Sequence, residues 1–262
     1  MTKSGQARVP SPAEQLRLFE AIKQHRHPEK NTAIMQISFK LGLRVQEIAL
    51  LEFKEVCQLN PASNAHRSFV LHQVMSLPAA YTKGADALGR SKSKYQRQTV
   101  SFKVDEFDRL LRQVEALVKA GSPVDPKDFY PPVKKHKGKS RDLPLVDKAL
   151  RQALFDYISL RLEKDPSIKP SDPLFVSQKG GPYSPNTLQE HMAMMLRRWA
   201  GIEKASSHSG RRLVMTDIIH KQGKPLKVAQ KVAGHVNPAT TIIYSAPSEE
   251  EISEALKNIS NR

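Results

Sequence analysis

The chain has 262 residues, and its 42 Lys+Arg against 26 Asp+Glu give a formal net charge of +16. That length can bury one large core or two small ones. The charge points to a polyanionic partner, for which nucleic acid is the usual choice, against the alternative of a merely soluble basic protein.

The segment Met1 to Pro10 is polar and has no apolar stretch of the signal-peptide kind. No run approaches the ~18 apolar residues of a membrane span. A cytoplasmic protein with no membrane partner is therefore expected. Ser11-Pro12-Ala13-Glu14 reads as a helix start, with Ser as N-cap, Pro at the first helical position and Glu at the capping-box position. Leu16, Phe19 and Ile22 follow at helical spacing. His25 and His27 flank Arg26 beside Pro28 and read as a solvated loop; the nine histidines form no metal-binding pattern. A second helix is expected from about Asn31, turning Ala33, Ile34, Ile37 and Leu41 inward and stopping at Gly42. A third begins near Arg44 and carries Val45, Ile48 and Leu51. Arg44 thus stands at a helix start beside a glycine that permits close approach, with Glu47 on the same face to orient its guanidinium. Cys57 is the one cysteine, which excludes a disulfide framework; it follows Val56 at the end of an apolar run and is expected to be a buried thiol.

Arg67 to Val74 reads as a strand, and Ala80-Tyr81-Thr82-Lys83-Gly84 as the end of a hairpin strand that Gln98 to Phe102 would return. An amphipathic helix with Phe107, Leu110, Leu111, Val114 and Leu117 comes next. The pattern then repeats as Lys137 to Leu145 and a helix with Leu150, Leu154, Tyr157 and Leu160. Gly121-Ser122-Pro123 and Tyr130-Pro131-Pro132 punctuate the junction. Ser184-Pro185 opens a helix whose Leu188, Met192, Met195 and Trp199 form a core stripe. A further helix starts near Ser209, a shorter one ends at Gly234, and Pro238 to Tyr244 is a short helical piece. Pro247-Ser248 opens a final helix, about 248–261, with Ile252, Leu256 and Ile259.

The chemistry concentrates in Leu41 to Ile48, His208-Ser209-Gly210-Arg211, Gly234-His235 and Thr240 to Tyr244. Two arginines, two histidines and a tyrosine are the groups that hold a phosphodiester, offset charge in its transition state and attack it. Arginine donates two parallel hydrogen bonds to phosphate and stays charged. Tyrosine, with a free pKa of ~10, needs a neighbour to help remove its proton. A helix starting at Ser207 or His208 would also direct its positive end at an anion.

At these residues the chain resembles the tyrosine recombinases, the phage-integrase family of DNA-breaking-and-rejoining enzymes. Gly42-Leu43-Arg44-Val45-Gln46-Glu47-Ile48 fits the family's G-L-R-x-x-E-hydrophobic box, and His208 with Arg211 fits its H-x-x-R box. Gly234-His235 fits the G-H element, and Tyr244 lies nine residues after His235 as in the family. Gly210 stands where the family often has leucine, a departure expected to touch packing rather than chemistry. The resemblance implies a mainly α catalytic-domain fold with a small antiparallel β-sheet (α+β), spanning residues 1–262 as one domain with an insertion at about 84–136. It also implies double-stranded DNA as partner, a homotetramer on DNA, no metal and no cofactor, and it leaves room for an accessory DNA-bending protein. The family's N-terminal clamp domain is not expected here, because Arg44 comes early.

By the same resemblance Arg44 and Arg211 would clamp the scissile phosphate, and His208 would be the proton acceptor or hydrogen-bond partner of the attacking group. His235 would complete the phosphate cage as a donor, and Tyr244 would be the nucleophile of a 3′-phosphotyrosyl intermediate. The family's general-acid lysine has two candidates. Lys83 lies in the first hairpin after Arg44, the expected place in chain order. Lys137 belongs to a K-G-x-x-R hairpin that sits one residue short of the usual register, which falls on His136. Lys92, Lys94, Arg97, Lys134, Lys135 and Lys139 would add phosphate contacts. Two other readings share these residues: a type IB topoisomerase-like DNA-relaxing enzyme, and a DNA-binding relative without catalysis.

Overall fold

The computed structural model describes residues 7–60, 68–81, 103–125, 129, 140–246, 252–253 and 256–257. The chain divides into two compact units, Met1–Ala85 with Lys137–Arg262, and Asp86–His136. The first is mainly helical with two short antiparallel strand pairs. Among the described residues, no helix is long and apolar enough to cross a membrane.

Helix α1 (Pro12–Lys23) opens on the expected capping box: the Ser11 hydroxyl accepts from the Glu14 amide, and the Glu14 carboxylate accepts from the Ser11 amide at 2.8 Å. Its buried residues are Leu18 and Ile22, one helical turn apart, whereas Leu16, expected inward, is 71% exposed. Helix α2 (Pro28–Leu41) starts three residues earlier than expected, because Pro28 presets the first helical position after His27 in the left-handed region. The expected solvated loop before it is more ordered than its polarity suggests: His25 is exposed but stacks on Trp199 with ring centroids 3.9 Å apart. Nearly every face of α2 is buried, from Ala33 and Ile34 through Ile37, Phe39 and Leu41, which makes it the central helix of the core. It packs against α6 (Lys148–Lys164) and α8 (Ser209–Thr216).

The contact with α8 explains Gly210. A Cβ at that position would overlap the Ser38 hydroxyl and lie 2.7 Å from the Ser38 carbonyl oxygen, so only glycine lets α8 approach α2 this closely.

Helices α3 (Val45–Leu50) and α4 (Phe53–Val56) lead into β1 (Cys57–Leu59), which pairs antiparallel with β2 (Phe69–Leu71). Cys57 is buried, as expected. The single strand expected over Arg67 to Val74 is instead two strands broken at His72–Gln73. The second of them, β3 (Val74–Leu77), pairs with β4 (Arg141–Pro144) in the register Leu77↔Arg141, Met75↔Leu143. That pairing joins the first pass to the second, while residues 82–84 and 137–139 of the expected hairpins lie outside the described residues. Ala80 and Tyr81, read as strand, belong to a turn of 3-10 helix, Ala79–Tyr81. The expected return strand at 98–102 lies outside the described residues.

Within β3 and β4 the two-residue alternation buries Met75, Leu77, Arg141 and Leu143 and exposes the intervening residues. Arg141 therefore occupies a core-facing strand position, and its partner decides whether that is tolerable.

Helix α7 (Pro185–Met194), capped by Ser184 as expected, continues through a wider π turn to Trp199 and buries Leu188, Met192 and Met195. Helix α8 likewise continues through a π turn to Lys221. Helix α9 (Leu226–Ala233) and α10 (Ala239–Ile242) complete the unit, and Ile252, Ser253, Leu256 and Lys257 are helical in the C-terminal segment. The second unit contains α5 (Val104–Lys119), amphipathic as expected; none of its residues is buried, and Val104, Phe107, Leu111 and Val118 are exposed.

Candidate active site

Four chain segments far apart in sequence converge at the C-terminal end of α9. That helix ends in a Schellman turn: the Gly234 amide bonds to the Lys231 carbonyl and the His235 amide to the Gln230 carbonyl, with Gly234 at φ +63°. A Cβ on Gly234 would come within 2.5 Å of Arg141 Nη1. The glycine before His235 therefore serves two purposes, the left-handed turn and passage for an arginine from β4.

The carbonyl of Ala233, one residue earlier, receives two guanidinium groups. Arg211 Nη2 donates to it at 2.5 Å and Arg44 Nη1 approaches it at 3.5 Å. Arg211 is 3% exposed; its Nη1 donates to the Gly42 carbonyl at 2.8 Å, just before Arg44. Burial and the neighbouring charges of Arg44 and Arg141 hold its pKa below the ordinary arginine value, while Glu47 and Tyr244 oppose that shift.

Glu47 is the counter-charge. Its side chain is 1% exposed and accepts a fork from Arg141, Nη1 to Oε1 at 2.9 Å and Nη2 to Oε2 at 2.8 Å. It also accepts the Arg44 amide at 2.8 Å and Arg44 Nη1 at 3.2 Å. Burial alone would raise the Glu47 carboxyl, but the hydrogen bonds and charge of Arg141, with Arg211 and the Arg44 amide, outweigh it and hold the pKa below the usual value. The expected Arg44–Glu47 pairing is present, yet the stronger partner of Glu47 comes from β4.

His235 is 8% exposed and bonded through both ring nitrogens, Nε2 to Arg211 Nη2 at 2.9 Å and Nδ1 to Thr241 Oγ1 at 2.8 Å. A guanidinium can only donate, so Nε2 is the acceptor and the proton sits on Nδ1, which donates to Thr241. Burial, then the charges of Arg211, Arg44 and Arg141, push the His235 pKa down to about 3. The imidazole is thus neutral at any ordinary pH. In this arrangement it orients Arg211 instead of donating from Nε2.

Tyr244 packs its ring against His235, nearly parallel with centroids 6.1 Å apart, and its carbonyl accepts from His220 Nε2 at 2.9 Å. Tyr244 also lines an open pocket of about 160 Å³ together with His208, Arg212, Ala7 and Ile243. His208 is the residue just before α8 and is exposed, in contrast to buried Arg211 three positions later.

Residues 122–251 of the chain match the phage integrase family, a span that contains Arg141, His208, Arg211, His235 and Tyr244. This chain belongs to the phage integrase family. Curated relatives named tyrosine recombinase XerC agree. The one from Methylobacterium nodulans is 33% identical over 41% of this chain and 32% of its own length, and one from Methylobacterium sp. (strain 4-46) is 30% identical over 45% of this chain and 36% of its own. The matched part thus spans about a third of those relatives. Among solved structures, XerA recombinase aligns over 100% of this chain and 66% of its own, with TM-score 0.58 and 19% identity. XerH recombinase bound to a palindromic difH substrate aligns over 95% of this chain and 52% of its own, with TM-score 0.55 and 16% identity. These likenesses identify the fold as that of a tyrosine recombinase catalytic domain.

Of the residues singled out from sequence, this phage integrase fold brings Arg44, Arg211, His235 and Tyr244 into one cluster, with His208 at its open side. Lys83 and Lys137 lie outside the described residues, as do His136 and the other hairpin lysines. In sequence, Lys83 follows the end of β3 by six residues and Lys137 precedes β4 by four. Two residues of the cluster were missed. Arg141 stands in the K-G-x-x-R stretch, where an arginine at an inward strand position was the available signal. Thr241 stands in the Thr240-Thr241 pair before the tyrosine, and its partner six residues earlier in the chain gave no periodic signal.

Proposed function

We propose that this chain is the catalytic part of a site-specific DNA recombinase or integrase that cuts and rejoins double-stranded DNA through Tyr244. The observation that carries the proposal is the meeting of Arg44 and Arg211 at the Ala233 carbonyl beside a neutral His235, with the Tyr244 ring against that histidine. Arg44, Arg141 and Arg211 set against the one carboxylate of Glu47 leave two net positive charges in a largely water-excluded place. Such fixed charge suits a phosphodiester whose nonbridging oxygens gain negative charge on attack.

In the proposed reaction Tyr244 Oη attacks the phosphorus, the bond to the 5′ oxygen breaks, and a 3′-phosphotyrosyl ester forms while a 5′-hydroxyl leaves. His208, at the shared pocket with Tyr244, accepts or shares the phenolic proton. Lys83 or Lys137 protonates the leaving oxygen. Attack by the 5′-hydroxyl of a second strand on the phosphotyrosine reverses the bond changes and frees Tyr244, so no external energy source enters. The role of double-stranded DNA as substrate is supported by the charge of +16 and by the Tn1549 transposon integrase, a fold neighbour solved with transposon right end DNA. Strand exchange between two duplexes calls for four such sites, hence a homotetramer on DNA, in which the C-terminal helix with exposed Ile252 and Leu256 is suited to pack on another protomer. The insertion at about 84–136 is read as an elaboration between β3 and β4.

A covalent-trapping assay tests the proposal. Purified protein is mixed with nicked duplexes drawn from the DNA flanking its own gene, and denaturing gels are scored for a protein–DNA adduct. An adduct in the wild type that disappears in Tyr244→Phe is expected. Tight, salt-sensitive binding with no adduct on any of these duplexes would instead favour a DNA-binding relative without catalysis.

A further inference from the structure

Arg141 belongs to β4, yet it reaches the cluster built by α3, α8 and α9. Its side chain is 5% exposed, and both Nη atoms are spent on Glu47. Its Nε is buried without a partner among the described residues, and its far end fills the space that Gly234 leaves open. Glu47 in turn has no acceptor capacity left. Oε1 serves Arg141 and Arg44, and Oε2 serves Arg141 and the Arg44 amide, which uses its four lone-pair directions.

Arg44 is consequently held only loosely. It makes one bond of 3.2 Å to Glu47 and one of 3.5 Å to Ala233, and its side chain is 22% exposed. Its Nε and second Nη make no hydrogen bond among the described residues, so they remain available to an outside anion. Without Arg141, a carboxylate that is 1% exposed would be left without its principal counter-charge, and Arg44, already in contact, is the nearest guanidinium to take its place.

We infer that Arg141 is a positioning residue of the phosphate site: by occupying Glu47 it keeps the Arg44 guanidinium free to face the phosphate. This deepens the recombinase proposal and rests on it for the identity of the anion, but the positioning itself concerns any phosphate-like oxyanion. It also ties the site to the β3–β4 pairing, because Arg141 is the residue that pairs with Leu77 at the end of that ladder. A merely structural role would predict something different: loss of Arg141 would lower stability and affinity together, and removing the charge of Glu47 as well would not restore chemistry.

The experiment compares wild type, Arg141→Met, Arg141→Lys and the double variant Glu47→Gln/Arg141→Met in single-turnover cleavage of a nicked duplex, alongside duplex affinity and thermal melting. The double variant guards against misfolding of the single one, since removing Glu47 and Arg141 together leaves the net charge of the cluster as in the wild type. Arg141→Met is expected to slow cleavage by ~100-fold, the scale of a misplaced reacting group, with affinity changed by less than ~3-fold. The double variant should recover at least ~10-fold of the lost rate, because a neutral amide no longer captures Arg44. Arg141→Lys should fall between wild type and Arg141→Met, since an ammonium cannot form the fork. A rate loss matched by an equal loss of affinity, or a double variant no faster than Arg141→Met, would overturn the inference. Vanadate provides a readout independent of DNA cleavage. Its stabilisation of the melting temperature should weaken in Arg141→Met and return in the double variant; unchanged stabilisation in Arg141→Met would also overturn the inference. Failure of the wild type to form any adduct would count against the recombinase proposal alone, and the vanadate series would still decide the role of Arg141.

Discussion

The two sides of the site are built differently. On one side Arg211, Arg141, Glu47 and His235 are buried, and their hydrogen bonds run to backbone carbonyls, to one another, to Arg44 and to Thr241. On the other, His208 is exposed, Tyr244 is partly exposed, and the pocket they share is open. The difference separates two demands of phosphoryl transfer. Charge stabilisation works best when its donors are fixed before the substrate arrives. The nucleophile must meet a phosphorus that the substrate brings, so its surroundings stay open. The buried side is a prebuilt cage, and on the proposed function the open side is completed by the duplex.

Substitutions on the two sides should therefore fail differently. Arg211→Lys, on the cage side, should have the largest effect. A lysine cannot serve the Gly42 and Ala233 carbonyls and His235 at once. Adduct formation should drop by ~10³-fold, and stability by about 2 kcal/mol as buried acceptors lose their donor. Rapid-quench cleavage and urea unfolding check the two numbers. His208→Gln, on the open side, should slow cleavage by ~10²-fold, the scale of one general acid–base group. Its unfolding free energy should stay within ~0.5 kcal/mol of wild type. If His208→Gln unfolded as easily as Arg211→Lys, the two sides would not differ in kind.

Thr241→Val sharpens the comparison, because Thr241 ties the tyrosine segment to the cage through His235. Losing that acceptor frees the tautomer, and a roughly 10-fold slower cleavage is expected, rescued by Thr241→Ser, which keeps the hydroxyl. Gly234→Ala should cost about 1–2 kcal/mol for its left-handed conformation, and it should also displace Arg141, so its cleavage defect should resemble that of Arg141→Met.

The smallest expected effect is a pH slope. Burial, then nearby cationic groups, push His235 down to about 3 and His191 down to about 4. The unfolded chain binds protons at these residues near the ordinary histidine value of 6.5, so it takes up more protons than the folded chain below that pH. Their contribution is therefore fully present above 6.5 and is lost as pH falls from 6.5 toward 4. Glu47 acts in the same direction but only below its unfolded value of 4.5; His27, pushed down by burial, adds to the slope and Glu55, pushed up by burial, opposes it, so the difference between wild type and His235→Gln isolates His235. Melting curves across that window should flatten in His235→Gln; an unchanged slope would mean that His235 is not buried neutral.

Much of this arrangement can be read along the chain, because the fold presents its chemistry on short local pieces. Arg44 stands at the start of a helix, His208 and Arg211 straddle the start of another, and His235 and Tyr244 are joined by one turn and a short helix. Spacing alone brings such groups into register. The role of Arg141 was not legible for the opposite reason: its carboxylate partner lies 94 residues earlier, and no local period links a strand residue to the first turn of a helix that distant. The break at His72–Gln73 was hidden as well, since apolar residues run on both sides of it. The pairing of β3 with β4 skips an entire unit, whereas hairpin reasoning favours the nearest returning strand.

The most direct test of a prebuilt cage is a crystal structure of Tyr244→Phe bound to a nicked duplex. Arg211, Arg141, Glu47 and His235 should stay within about 0.5 Å of their present positions, with the scissile phosphate against Arg44 and Arg211 and with movement confined to His208 and the segment around residue 244. A cage that comes apart on binding, with Glu47 released from Arg141 or His235 turned away from Arg211, would contradict the account.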